Sequence, residues 1–148
     1  MAPHDLANGV PAIEDIAHRQ VRVFGEFAPD KAILLDNKLR RGAAGYEIVV
    51  PLQIAGDGRY VLINRGWVGR GRDRSDLPEV DVPGGPVNVI GTAVVPGRGA
   101  LELSDEIVEG SVWQNLNLQR YRERQRLDVL NFVIQEESDR ADGINRDW

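Results

Sequence analysis

The chain has 148 residues, with 18 lysines and arginines against 23 aspartates and glutamates, a net charge of -5 and no cysteine. The length suits one domain with a core of its own. The acidic balance argues against a general nucleic-acid role, and the lack of cysteine removes disulfides and thiolate metal sites. No run approaches the roughly 20 apolar residues needed to span a bilayer.

In chain order, residues 1–18 read as a lead-in segment and 19–148 as a single domain. His4 falls in the lead-in, at a terminus expected to be loose. "PAIEDIAHR" (11–19) suggests two helical turns, with Pro11 tolerated at the start. "RQVRVFGEF" (19–27) alternates as a strand. "KAILLDN" (31–37) is a short apolar run that Asp36 and Asn37 are expected to close as a turn. "GYEIVVPLQI" (45–54) puts Tyr46, Ile48, Val50, Leu52 and Ile54 on one face, and "YVLINRGWV" (60–68) follows. Asp57-Gly58 between them is a hairpin signal, so these two strands are expected to pair antiparallel.

"PVNVIGTAVV" (86–95) and "LDVLNFVIQEE" (127–137) supply further strands, and "NLQRYRERQRL" (117–127) a surface helix capped by Asn117, with Leu118 and Tyr121 on one face. The first strand and the 86–95 strand share Val-x-Val-apolar-Gly, which sets Gly25 beside Gly91 in pattern. Glycine inside a strand marks a bulge, a bend or a close approach. The reading is therefore mainly β: a curved antiparallel sheet or small β-barrel with one or two short surface helices. The segments 69–86 and 96–111 are long, polar loops.

The search for catalytic groups returns none. His4 and His18 are the only histidines, neither has metal-ligand spacing, and no serine has an evident base partner. The reading is a protein without enzymatic activity. Arg70, Arg72 and Arg74 read as a solvated loop balanced by Asp73, Asp76, Glu79 and Asp81. Arg65 is different. Alternation places it on the face of Val61, Ile63 and Trp67, where a charge needs a partner. Asp36 and Asn37 are the expected partners by chemical type, with Trp67 over the guanidinium. This makes Asn64-Arg65-Gly66-Trp67 a lock at a strand end.

The stretch "AGYEIVVPLQIAGDGRYVLINRGWV" resembles the central signature of the Surfeit locus protein 1 family. The likeness is carried by Gly45, Tyr46, Pro51, Gly58, Asn64, Arg65, Gly66, Trp67 and Val68, with support from "VRVFGEF", "VNVIGTAV", "VWQNLN" and "GINRDW". It implies a cytochrome c oxidase assembly factor that assists haem a insertion into subunit I. It also implies contacts with subunit I and the haem a synthase machinery, and no nucleic-acid partner. Members carry a membrane helix on each side of this domain, so the resemblance implies a bacterial inner-membrane protein whose domain faces the periplasm. The family's proposed haem-ligating histidine goes with the second membrane helix, and no residue here matches it. Hence no metal ligand and no cofactor are expected in this domain, haem a belonging only to a full-length membrane protein. The alternative is a generic β-barrel module for an oligonucleotide or oligosaccharide, against which the charge and the three each of Phe, Tyr and Trp weigh.

Overall fold

The computed structural model describes residues 4–6, 16–40, 43–69, 82–95, 108–109, 112–113 and 118–137. These form nine strands in one sheet: β1 His4–Asp5, β2 Gln20–Phe27, β3 Ile33–Arg40, β4 Ala43–Ile54, β5 Tyr60–Gly69, β6 Val87–Val94, β7 Val108–Glu109, β8 Val112–Trp113 and β9 Val129–Glu136. Helix α1, Leu118–Gln125, precedes β9, and Pro29–Lys31 is a 3-10 turn. The strand order is β1-β2-β6-β9-β5-β4-β3-β8-β7. Because β2 also pairs with β4, the strands β2, β6, β9, β5 and β4 close on themselves as a five-stranded barrel.

Closure depends on two glycines. A Cβ on Gly25 would meet the Gln53 carbonyl oxygen, and one on Gly91 the Gln135 carbonyl oxygen. Backbones therefore cross at contact distance at the β2–β4 and β6–β9 seams, which a side chain would hold apart. The shared pattern around these glycines marks the two seams where the curved sheet draws tight.

β4 is long enough to serve two neighbours along one edge. It pairs with β3 through Ile33↔Val49 and then with β2 from Phe27↔Leu52. Pro51 lies at that handover, and its carbonyl accepts the Ala28 N–H at 2.9 Å. A residue with no N–H is tolerated there because neither neighbour's ladder requires one.

The barrel interior is filled by Val21, Val23, Leu52, Val61, Ile63, Val89, Phe132 and Ile134, with Leu6 and Ile16 packed against them. A second apolar cluster lies on the other side of the sheet, where Ile33, Val49, Leu62 and Val133 meet Tyr121 of α1. Half of the residues of helix α1 are charged and two more are glutamines, so burial of Tyr121, flanked by Leu118, is what docks it. The Tyr121 hydroxyl donates to the Lys31 carbonyl at 2.6 Å. Burial, with smaller contributions from Asp30 and Tyr60, pushes the Tyr121 hydroxyl above the usual tyrosine range. Arg126 ends the helix in the left-handed region (φ 55°), and Arg122 donates back to the Val129 carbonyl at 2.8 and 3.0 Å.

Several expectations are corrected. The sheet is mixed: β5 and β9 run parallel, as do β1 and β2, and β3 and β8. The chain between β5 and β9 includes β6 and α1, long enough for the crossover that parallel pairing needs. Asp36-Asn37 does not end its strand. β3 runs on to Arg40, and the register against β4 shifts between Leu35 and Lys38, so two turn-forming residues are absorbed as an irregularity. His4 sits in a strand beside Val21, not in a loose terminus. The β4–β5 hairpin, by contrast, is as expected: the strands pair antiparallel across Asp57-Gly58, and the Ile54 N–H closes the turn onto the Arg59 carbonyl at 2.9 Å. Asp57 holds Arg59 there through paired contacts of 2.8 and 3.0 Å, which keep its carboxyl below the usual range. Residues 11–15 and the arginines at 70, 72 and 74 lie outside the described residues, as does most of both long loops.

Candidate functional site at the Asn64–Trp67 bulge

On β5 the register against β4 runs Ile63↔Val50, Asn64↔Val49, then Gly66↔Ile48 and Trp67↔Glu47. Arg65 is the extra residue of a β-bulge, two positions on β5 facing one on β4. The bulge answers why an apolar strand carries Asn-Arg-Gly. Gly66 adopts φ 127°, a conformation that disfavours any side chain. The Asn64 Oδ1 accepts the Gly66 N–H at 3.1 Å, and its Nδ2 donates to Glu47 Oε1 at 3.0 Å. One asparagine thus ties the kinked backbone to itself and to the neighbouring strand.

Arg65 points into the barrel and is 1% exposed, as is Glu136 at the end of β9. Their closest approach is 3.6 Å between Nε and Oε1, a charge contact longer than a hydrogen bond. The guanidinium carbon lies 5.4 Å from the centroid of the Phe27 ring, within cation–π range. The cluster therefore links four of the five barrel strands: Phe27 from β2, Glu47 from β4, Asn64 and Arg65 from β5, and Glu136 from β9.

The bulge also reverses the strand's alternation. Beyond it Trp67 faces the Glu47 side of the sheet, opposite to Arg65, and not alongside Arg65 as plain period-two counting places it. Its indole covers Gly45, where a Cβ would meet the ring and the Val68 carbonyl. Tyr46 is buried with Leu34, Ile48 and Val50.

The arrangement fixes geometry and offers no nucleophile with a base. Among the described residues no group of three or more His, Asp or Glu side chains is placed to hold a metal ion. His18 lies on the surface in a left-handed conformation, its backbone N–H held by the Ala93 carbonyl at 2.7 Å.

The SURF1 family profile matches residues 1–148. The chain belongs to the SURF1 family. A SURF1-like protein of Rickettsia bellii (strain RML369-C) is 26% identical over 127 residues, which cover 84% of this chain and 52% of that protein. The chain thus spans about half the length of the curated relative it matches. Among the described residues no helix is long and apolar enough to cross a membrane.

Within this SURF1 chain the structure brings together Asn64, Arg65 and Gly66 as one unit, and sets Gly45 with Trp67 on the face opposite Arg65, the Glu47 side that the Asn64 side chain also reaches. Tyr46 and Pro51 are core and seam positions further along β4. The sequence reading singled out none of Glu136, Phe27 and Glu47. Glu136 had a signal: alternation puts it on the face of Phe132 and Ile134, a carboxylate in apolar company like Arg65 in its own strand. The side chains of Asp36 and Asn37, named as partners for Arg65, lie outside the described residues.

Proposed function

We propose that this chain is the extramembrane part of a cytochrome c oxidase assembly factor. It supports haem a insertion into subunit I through protein–protein contacts with subunit I and the haem a synthase machinery. It works at the periplasmic face of a bacterial inner membrane, without enzymatic activity and without a haem ligand of its own. The observation that carries this reading is the family match along the whole chain. The geometry of the signature supports the contact part of it. The Arg65 guanidinium is sealed in the barrel beside Glu136, out of reach of an external haem propionate, so the signature maintains the shape of a docking body.

The test is gene deletion followed by spectroscopy of the membranes. The expected result is a fall in haem a relative to haem b, while subunit I is still synthesised, with recovery on complementation. Unchanged haem a and oxidase activity would overturn the assembly role. Separately, titrating the chain with haem should give no sharp, shifted Soret band; a bis-histidine low-spin spectrum would contradict the absence of a ligand.

A further inference from the structure

Among the described residues, Phe24 is the only large hydrophobic side chain that is exposed, at 45%. It stands on the outer face of β2, whose pattern alternates exposed and buried positions from Gln20 onward. Arg22 lies two residues before it on that face and Glu26 two residues after. Neither has an ion-pair partner among the described residues. They cannot pair with each other, since four residues of strand separate them by about 14 Å. Beside Phe24 and Glu26 opens a groove of about 510 Å³, walled by Gln53, Asp57 and Pro86. The face is left uncovered by α1, which packs on the side of β3, β5 and β9.

The row Arg22–Phe24–Glu26 is self-complementary. A two-fold axis through Phe24 lays a second β2 antiparallel across the first. That sets Phe24 against its symmetry mate at the mouth of the groove, Arg22 opposite Glu26 of the other copy, and Glu26 opposite the other Arg22. A two-fold contact of this kind uses one patch twice and closes on itself. We propose that the outer face of β2 is a homodimer contact between two copies of this chain, centred on Phe24 and oriented by two reciprocal Arg22–Glu26 pairs. The proposal is independent of the assembly reading. Because one strand on a convex barrel buries little area, the dimer is a weak, reversible one. Its exposed ion pairs are sensitive to salt.

The experiment is sedimentation equilibrium of the 148-residue chain over rising concentration, with Arg22→Glu, Glu26→Arg and Phe24→Ser variants. All three positions are exposed, and circular dichroism should show the parent fold in each. The parent should dimerise in the micromolar-to-millimolar range, less readily at high salt. Each charge variant turns two attractions into two repulsions, and should weaken association by about tenfold or more. Phe24→Ser should weaken it as well. Mixing Arg22→Glu with Glu26→Arg in equal amounts restores both pairs, so the mixture should form a heterodimer with near-parental affinity. A parent that stays monomeric at millimolar concentration overturns the proposal. So do charge variants that associate like the parent, or a mixture that stays monomeric.

Discussion

Replacing Arg65 with alanine removes the cationic half of a pair in which both residues are 1% exposed. What remains is the Glu136 carboxylate inside an apolar barrel, with its counter-charge at 3.6 Å gone. Breaking a buried pair from one side costs about 3–5 kcal/mol. The loss of the Phe27 contact adds about 0.5–2 kcal/mol. Against a total stability of roughly 5–15 kcal/mol, Arg65→Ala should leave the chain close to unfolding. With a urea slope of about 2 kcal/mol per molar, the midpoint should fall by roughly 2–3.5 M. Arg65→Lys keeps the charge but gives up the planar guanidinium over Phe27, and should lie between the two. The double variant Arg65→Met/Glu136→Leu removes both charges and fills the space with apolar atoms. It should recover most of the loss, as exchange of whole buried pairs usually does. Equilibrium urea unfolding followed by circular dichroism and tryptophan fluorescence gives all four midpoints. An Arg65→Ala midpoint within about 0.3 M of the parent would refute the reasoning, since the guanidinium would then carry no structural burden.

Three further outcomes follow from single contacts. Gly25→Ala and Gly91→Ala should each destabilise by more than about 2 kcal/mol, because the new Cβ meets a backbone carbonyl that cannot move without opening a barrel seam; Gly84→Ala, where a Cβ meets nothing within 4 Å, should be close to neutral in the same urea assay. Asn64→Ala should cost about 1–3 kcal/mol through the loss of its bonds to Gly66 and Glu47, and hydrogen exchange at the Gly66 amide should accelerate. Tyr121→Phe should cost about 1 kcal/mol near neutral pH and should also change the alkaline limb. The folded Tyr121 hydroxyl holds its proton more tightly than an unfolded one, so its contribution is complete below the unfolded value of about 10 and declines as pH rises through the folded value. Thermal melts of the phenylalanine variant should therefore fall less steeply above pH 10 than those of the parent; equal slopes would count against it.

The barrel itself was legible because its signals are local. Alternation in β2, β4 and β5 marked the strands, and the matching glycines at 25 and 91 marked the curvature. The spacing of Leu118 and Tyr121 located α1. What escaped depends on neighbours far apart in sequence. Glu136 meets Arg65 only because β9 returns parallel to β5, and no pattern within either strand announces that pairing. The bulge hid a second fact. One extra residue at Arg65 shifts the phase of everything after it, so counting by twos put Trp67 on the wrong face. Asp36-Asn37 misled for a related reason, since turn-forming residues also serve irregularities inside a long strand.

The central claim is that the SURF1 signature around Arg65 acts by holding the barrel in shape for contacts made elsewhere. The most direct measurement is complementation of a deletion strain with the stable Arg65→Met/Glu136→Leu double variant, reading haem a content and oxidase activity of the membranes at matched protein level. Restoration of both close to the parent is the predicted result. A double variant that folds and accumulates normally yet leaves the oxidase without haem a would contradict the claim, and would make Arg65 part of the working surface.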